Sequence, residues 1–187
     1  MPVKLIRPRR FGDDRGWFSE TYNADRYPAL GVPVTFVQDN HSMSRDVGVL
    51  RGLHWQAPPF AQAKLVRCVR GRIWDVAVDS RRGSPTFGQW IAAELSADNG
   101  HQLFVPVGFA HGFVTLEPDT EVEYKVSAPY SPEHEGGVIW NDPALGLPWP
   151  LDDRTPILSP KDEVLPTLAE ATSPFDYDGL ALEPIDA

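Results

Sequence analysis

Gly48-Val-Leu-Arg-Gly-Leu-His54 and Gly100-His-Gln-Leu-Phe-Val-Pro-Val-Gly-Phe-Ala-His111 are two glycine-led segments that each run into a histidine, and they fit together as halves of one site. The chain around them is written in short strands. Residues 34–38, 65–70, 73–79, 87–95, 102–105 and 121–127 are runs containing β-branched or aromatic residues, bounded by Gly, Pro, Asp or Asn. Nineteen prolines and fifteen glycines, scattered throughout, suit many turns and few long helices. Residues 25–30 and 97–99 read as short helical pieces, with Ser96 as the cap of the second. Many short strands with no internal repeat predict an all-β sandwich or jelly-roll barrel.

The two opening segments resemble the paired motifs of cupins with the metal removed. A cupin's first motif is Gly, five residues, His-x-His, then a Glu and a closing Gly; its second is Gly, five residues, Pro-x-Gly-x-x-His, with an Asn beyond. Here the second motif is intact from Gly100 to His111, and Thr115 stands where the Asn falls. The first keeps Gly48 and His54, but Gln56 replaces the second His, and Lys64 takes the place of the Glu, six residues lying between it and Gly71. A divalent ion held by imidazoles and carboxylates gains little from an amide and is repelled by an ammonium. Neither a metal nor a cofactor is expected, the cation being Lys64 itself, which suits a reaction that builds negative charge on a substrate oxygen. In a strand, Lys64, Val66 and Cys68 share one face and Leu65, Arg67 and Val69 the other. Each face carries one cation, so the period alone leaves open which of them points inward.

Length and composition fit one domain spanning residues 1–187, the stretch 163–187 being an acidic tail packed along the surface through Leu165, Leu168, Phe175 and Tyr177. The single Cys68 rules out an internal disulfide. No apolar run is long enough to cross a membrane, and the first residues carry no signal-peptide pattern, so a cytoplasmic protein is expected. Seventeen Lys and Arg against 26 Asp and Glu give a net charge of -9, which argues against nonspecific nucleic-acid binding. Arginines nevertheless gather in the first third, where an anionic ligand could be met. Arg7, Arg9, Arg10 and Arg26 read as solvated or paired surface, whereas Arg15 precedes a glycine in Asp14-Arg15-Gly16-Trp17-Phe18-Ser19-Glu20 and Arg51 stands three residues before His54.

From Ile6 through Asp162 the chain is similar to the dTDP-4-dehydrorhamnose 3,5-epimerase family. The resemblance is carried by Asp14-Arg15-Gly16-x-Phe18-x-Glu20, Gln38-Asp39-Asn40-His41-Ser42, the stretch 48–56, Gln62-x-Lys64-Leu65-Val66-Arg67, and the segment from Asp75 to Gly88. It continues through Pro106 to Phe113, Tyr124-Lys125, Tyr130-x-Pro132, Trp140-Asn-Asp-Pro143 and Ser159-Pro-Lys161-Asp162. It implies a cupin-type jelly roll, a homodimer with an exchanged N-terminal strand, and dTDP-4-keto-6-deoxyglucose as substrate, with no nucleic-acid or membrane partner.

The site the resemblance implies is chemically coherent. Carbons 3 and 5 of that sugar flank a ketone, so a base, a cation at the ketone oxygen and an acid on the opposite face suffice for epimerisation. His54 matches the base, imidazole being the side chain that exchanges protons near neutral pH, and Asp162 matches the carboxylate that orients it. Lys64 matches the residue near the ketone oxygen, with His111 beside it. Tyr124 matches the proton donor. Arg15 and Arg51 match diphosphate contacts, Tyr130 the ring that stacks on thymine, and Glu20, Gln38, Asn40, Glu135 and Lys161 polar contacts. Arg15 and Glu20 are implied to reach the partner's site. Trp17, Trp74, Trp90, Trp140 and Trp149 read as core or interface aromatics. Three alternatives stay open: an epimerase acting at carbon 3 only, a cupin that binds a sugar nucleotide without turnover, and a metal-dependent cupin oxygenase or isomerase. A sugar 3,4-ketoisomerase is a nearer enzymatic variant.

Overall fold

Residues alternating between two buried faces sort the strands into two antiparallel sheets, each covered on its outside by the ends of the chain. The structure is a computed structural model that describes residues 1–185. Its strands are β1 (Lys4–Ile6), β2 (Arg10–Asp13), β3 (Gly16–Ser19), β4 (Gln38–Ser44), β5 (Leu50–Gln56), β6 (Lys64–Arg70), β7 (Arg72–Asp79), β8 (Trp90–Ser96), β9 (Gln102–Val105), β10 (Phe109–Thr115), β11 (Thr120–Val126) and β12 (Glu135–Gly137). Helix among the described residues is confined to 3-10 turns at Tyr27–Leu30 and Pro132–His134. One sheet runs β1-β9-β6-β11-β4 and the other β12-β5-β10-β7-β8, while β2 and β3 form a separate hairpin. This is the all-β jelly roll of the cupins.

The space between the sheets is filled unevenly. Val66 and Cys68 of β6, Leu103 and Val105 of β9, Ile73 and Ala77 of β7, Ile91 and Leu95 of β8 and Phe113 of β10 form one buried cluster. Each such side chain contributes about 1.5–3 kcal/mol by leaving water. Toward β4, β11, β5 and β10 the apolar filling gives way to polar side chains and an open cavity, described below. Outside the first sheet, Leu65 and Phe104 pack on Tyr27 and Val32, with Tyr22, Val34 and Phe36 beside them. Outside the second, Trp55, Val76, Val78 and Ala110 pack on Val138, Leu145, Leu168 and Phe175.

The chain beyond Asp162 is pinned at Arg81, a residue 2% exposed. Arg81 donates to both oxygens of Asp79, at 2.9 and 2.7 Å, to Asp178 at 2.6 Å and to the Leu180 carbonyl at 2.8 Å. Its guanidinium lies 4.5 Å from the Phe109 ring centre. Asp178 also accepts from the N-terminal ammonium, so the two described ends of the chain meet on one arginine.

Several sequence expectations shift. Residues 34–37 lie outside the sheets, and the strand begins at Gln38, where the pattern turns polar. β5 and β10, the strands that carry the two motifs, have no counterpart in the sequence reading. The piece at 97–99 is a turn rather than a helix: Ser96 Oγ accepts from the Asn99 N–H at 3.0 Å while Asn99 Oδ1 accepts from the Ser96 N–H at 3.0 Å. The piece at 25–30 shrinks to the single 3-10 turn at Tyr27–Leu30. Trp17 is 60% exposed, on the hairpin, and is no part of this chain's core.

Candidate active site

Strand β6 enters with Lys64 facing the interior. Val66 and Cys68, on the same face, lie in the inter-sheet core, while Arg67 on the other face pairs with Glu123 at 2.7 Å. The ambiguity left by the two cations is thereby resolved: Arg67 finds a carboxylate on the outer face, and Lys64 lines the cavity. Its neighbour β11 presents Tyr124 next to Val66, and β4, next along, presents Asn40 beside Tyr124. From the opposite sheet β5 and β10 bring His54 and His111 into direct register as cross-strand partners. The two motif histidines are therefore neighbours because their strands pair.

Each histidine is held by its own carboxylate. His54 Nε2 lies 2.5 Å from Asp162 Oδ1, and Ser159 Oγ donates to Asp162 Oδ2 at 2.7 Å. Burial pushes the Asp162 carboxyl up, but the hydrogen bonds from His54 and Ser159 outweigh it and hold the group below the usual carboxylate range. A carboxylate against Nε2 fixes the proton there and leaves Nδ1 with the lone pair. His111 Nε2 lies 2.7 Å from Asp75 Oδ1. Burial dominates at His111, lowering its proton affinity against the pull of Asp75, and Lys64 adds to the lowering. Burial likewise brings the Lys64 ammonium down to about 8, Asp75 and Glu135 opposing. Tyr124 is pushed up by burial, against Arg51 and Lys161, which keeps the phenol protonated at neutral pH.

These side chains line a cavity of about 410 Å³, a size suited to a small organic ligand. Of the residues expected from the sequence, Gln38, Asn40, Arg51, His54, Lys64, His111, Tyr124, Tyr130, Glu135, Lys161 and Asp162 all border it. Arg51 donates to Ser44 Oγ and the Met43 carbonyl, at 3.3 and 3.4 Å, and meets no carboxylate among the described residues. Lys161 pairs with Glu135 at 3.1 Å. Gln38 Nε2 donates to Asn40 Oδ1 at 2.8 Å. Arg15 and Glu20 stand apart. Arg15 is on the β2–β3 hairpin, 89% exposed and paired with Asp13, and Glu20 pairs with Arg26 at 3.2 Å.

The sequence reading gave no role to Ser159, Asp75, Ser42 or Gln62. Asp75 had a signal, a carboxylate in the otherwise apolar run Ile73-Trp-Asp-Val-Ala-Val78, which in a strand means a buried charge with a partner. Ser42 lines the cavity with its hydroxyl buried and, among the described residues, unpartnered, as is Asp75 Oδ2. No group of three or more His, Cys, Asp or Glu among the described residues is placed to hold a metal ion.

A jelly roll with a histidine–aspartate pair on one wall of its cavity and a tyrosine and lysine on the other has the parts of a cupin isomerase. The family model described as dTDP-4-dehydrorhamnose 3,5-epimerase matches residues 2–170. The chain is 56% identical to the dTDP-4-dehydrorhamnose 3,5-epimerase of Sinorhizobium fredii over 175 residues, covering 94% of this chain and 89% of that one. Among solved structures, it resembles the Bacillus anthracis dTDP-4-dehydrorhamnose 3,5-epimerase with TDP and PPi bound, with a TM-score of 0.85 and 55% identity over 88% of this chain and 93% of that one. It also resembles the Legionella pneumophila dTDP-6-deoxy-D-glucose-3,5-epimerase in complex with dTDP-4-keto-L-rhamnose, with a TM-score of 0.86 and 46% identity over 91% and 89% of the two chains. The chain belongs to the dTDP-4-dehydrorhamnose 3,5-epimerase family, whose members are isomerases.

Proposed function

We propose that the protein epimerises dTDP-4-keto-6-deoxyglucose at carbons 3 and 5, giving dTDP-4-keto-L-rhamnose for deoxysugar biosynthesis. The observation that carries the chemistry is the placement of His54 and Tyr124 on facing sheets, one on each wall of the cavity. A proton taken by His54 from one face of a ring carbon and another given by Tyr124 to the opposite face inverts that carbon. The electron pair left by the first proton moves onto the ketone oxygen as an enolate, where Lys64 supplies positive charge and His111 a neighbouring ring. Asp162 stabilises the imidazolium while it lasts, and before the next round water takes the proton from His54 and returns one to the Tyr124 phenolate.

Arg51 and Lys161 are cations at the cavity suited to the diphosphate, a guanidinium fork matching phosphate geometry. Tyr130, exposed at the mouth, suits stacking on the base, with Gln38, Asn40 and Glu135 as polar contacts. Arg15 and Glu20 fit a second copy's cavity better than their own. Phe11, Trp17 and Phe18 on the same hairpin are 51%, 60% and 70% exposed, a surface that favours a homodimer exchanging its N-terminal hairpin. A free, buried Cys68 fits a reducing cytoplasm.

The test is incubation with dTDP-4-keto-6-deoxyglucose in deuterated water. Solvent deuterium is expected at both carbons, because the proton removed and the proton returned come from different groups. Label and inversion confined to carbon 3 would identify a monoepimerase, and no label despite nucleotide binding would identify a binding protein.

A further inference from the structure

Tyr130 stands 56% exposed, and among the described residues no hydrogen bond holds its phenol, so its position is set by its backbone. That backbone, the loop of residues 127–131 after β11, is gripped from outside almost peptide by peptide. Ser127 N–H donates to the Ala63 carbonyl at 3.1 Å, and Gln62 Nε2 donates to the Ala128 carbonyl at 2.7 Å. The Tyr130 N–H donates to Gln38 Oε1 at 3.1 Å. Gln56 takes the two peptides on either side: its Nε2 donates to the Pro129 carbonyl at 3.1 Å, and its Oε1 accepts from the Ser131 N–H at 2.9 Å. The second hydrogen of that amide goes to the Phe60 carbonyl at 2.7 Å. Gln56 is 4% exposed, so water is a poor substitute at either end.

We propose that Gln56 is a positioning residue for the nucleotide, holding the peptides that flank Tyr130 so that the ring is presented ready-made to the base. The proposal rests on the reading of Tyr130 as the base platform. Gln56 occupies the position of a ligand histidine in a metal-binding cupin motif, and here that position serves the loop. An amide does this because the site takes two donors and an acceptor from one side chain. A carboxylate offers no donor at neutral pH and leucine offers neither. Without the clamp the loop samples other conformations, and ordering it upon binding subtracts from affinity while the reacting end of the cavity is untouched.

The test compares Gln56→Leu with Gln56→Glu, which keeps the acceptor for Ser131 but turns a buried carboxylate toward the Pro129 and Phe60 carbonyls. Calorimetric titration with dTDP is expected to show Kd rising about tenfold for Gln56→Leu and at least as much for Gln56→Glu. Titration with inorganic pyrophosphate should be unchanged for both. KM should rise in parallel, with kcat within about twofold of wild type. In a Tyr130→Ala background, Gln56→Leu should weaken dTDP binding no further. If Gln56→Glu melts early, Gln56→Leu carries the test alone. Equal losses for dTDP and pyrophosphate, or losses that add to that of Tyr130→Ala, would overturn the proposal. Should Tyr130→Ala itself leave dTDP affinity unchanged, the platform reading fails instead.

Discussion

The cavity contains the same chemical pair twice, in different surroundings. In both, a histidine Nε2 meets an aspartate Oδ1, and the two rings sit on adjacent strands in register. His54 keeps 24% of its side chain exposed, and its partner Asp162, 3% exposed, is completed by Ser159. His111 and Asp75 are 8% and 0% exposed, and Asp75 Oδ2 has no hydrogen-bond partner among the described residues. A base must reach substrate and lose its proton to solvent in each cycle; both rings border the cavity, and the first is the more open to solvent. Burial lowers the proton affinity of the second imidazole, and Asp75 raises that of Lys64. In the proposed reaction, position against solvent, rather than the pair itself, separates the base from its support.

Substituting the two histidine sites should break this symmetry, the largest effect coming first. His54→Ala should lower kcat by on the order of 10³ or more, since general-base catalysis supplies ~10²–10⁴, with dTDP affinity retained. A variant keeping a tenth of wild-type turnover would remove His54 from the role. Asp162→Asn keeps the shape but invites the wrong imidazole tautomer, and should cost on the order of 10²–10³ in kcat. A loss below about fivefold would mean that the imidazole is oriented by something else.

The cation behind the second pair sharpens the comparison through pH. With Lys64 brought down to about 8, its charge is present below that pH and lost above it. Activity should fall as pH rises through about 8, approaching tenfold per unit. Stability moves the other way. Above about 8 the unfolded chain holds a proton at this site that the folded chain has released, so Lys64 costs less as pH climbs toward 10.5. Lys64→Met should therefore be inactive yet more stable at pH 7, by roughly 1–3 kcal/mol; a less stable variant would contradict the burial argument. Asp75→Asn should do less, about tenfold at pH 8 and less at pH 7, by moving the alkaline limb to lower pH. A loss as large as that of Asp162→Asn at every pH would mean that the two pairs had been assigned in reverse.

How much of this the sequence displayed depended on what each strand faces. β6, β7 and β9 bury one or both faces in apolar contacts, and their runs read directly as strands. β4 does not, because its inner face is the cavity wall of Gln38, Asn40 and Ser42 and its outer face carries ion pairs, such as Asp39 with Lys125 at 2.8 Å. The polarity that hides β4 as a strand is the polarity the site needs. β5 and β10 were hidden by glycine. A Cβ on Gly52 would lie 2.5 Å from Gly112 Cα and 2.8 Å from the His111 carbonyl oxygen, so the close approach that sets His54 beside His111 requires a residue that weakens the strand pattern. Lys64, His54 and His111 were legible from motif spacing. Asp162, 108 residues from His54, came only through family resemblance, since no local pattern announces so distant a partner.

The smallest expected effect is none, from exhaustive chelation. In a metal-binding cupin the motif histidines and the glutamate converge on one ion. Here each histidine has turned its Nε2 to its own carboxylate, the glutamate's position is an ammonium, and the other histidine's position is an amide whose hydrogens go to Phe60 and Pro129. A divalent ion in the cavity would meet an amide and an ammonium where a metal-binding cupin offers an imidazole and a carboxylate, and would sit beside Lys64, where like charges repel. Activity after chelation should match the untreated enzyme, and added Zn²⁺, Mn²⁺ or Fe²⁺ should not raise it. Metal found at one equivalent per chain, with activity lost on its removal and recovered on its return, would show that the two pairs are ligands in waiting, and the contrast between base and support would have to be abandoned.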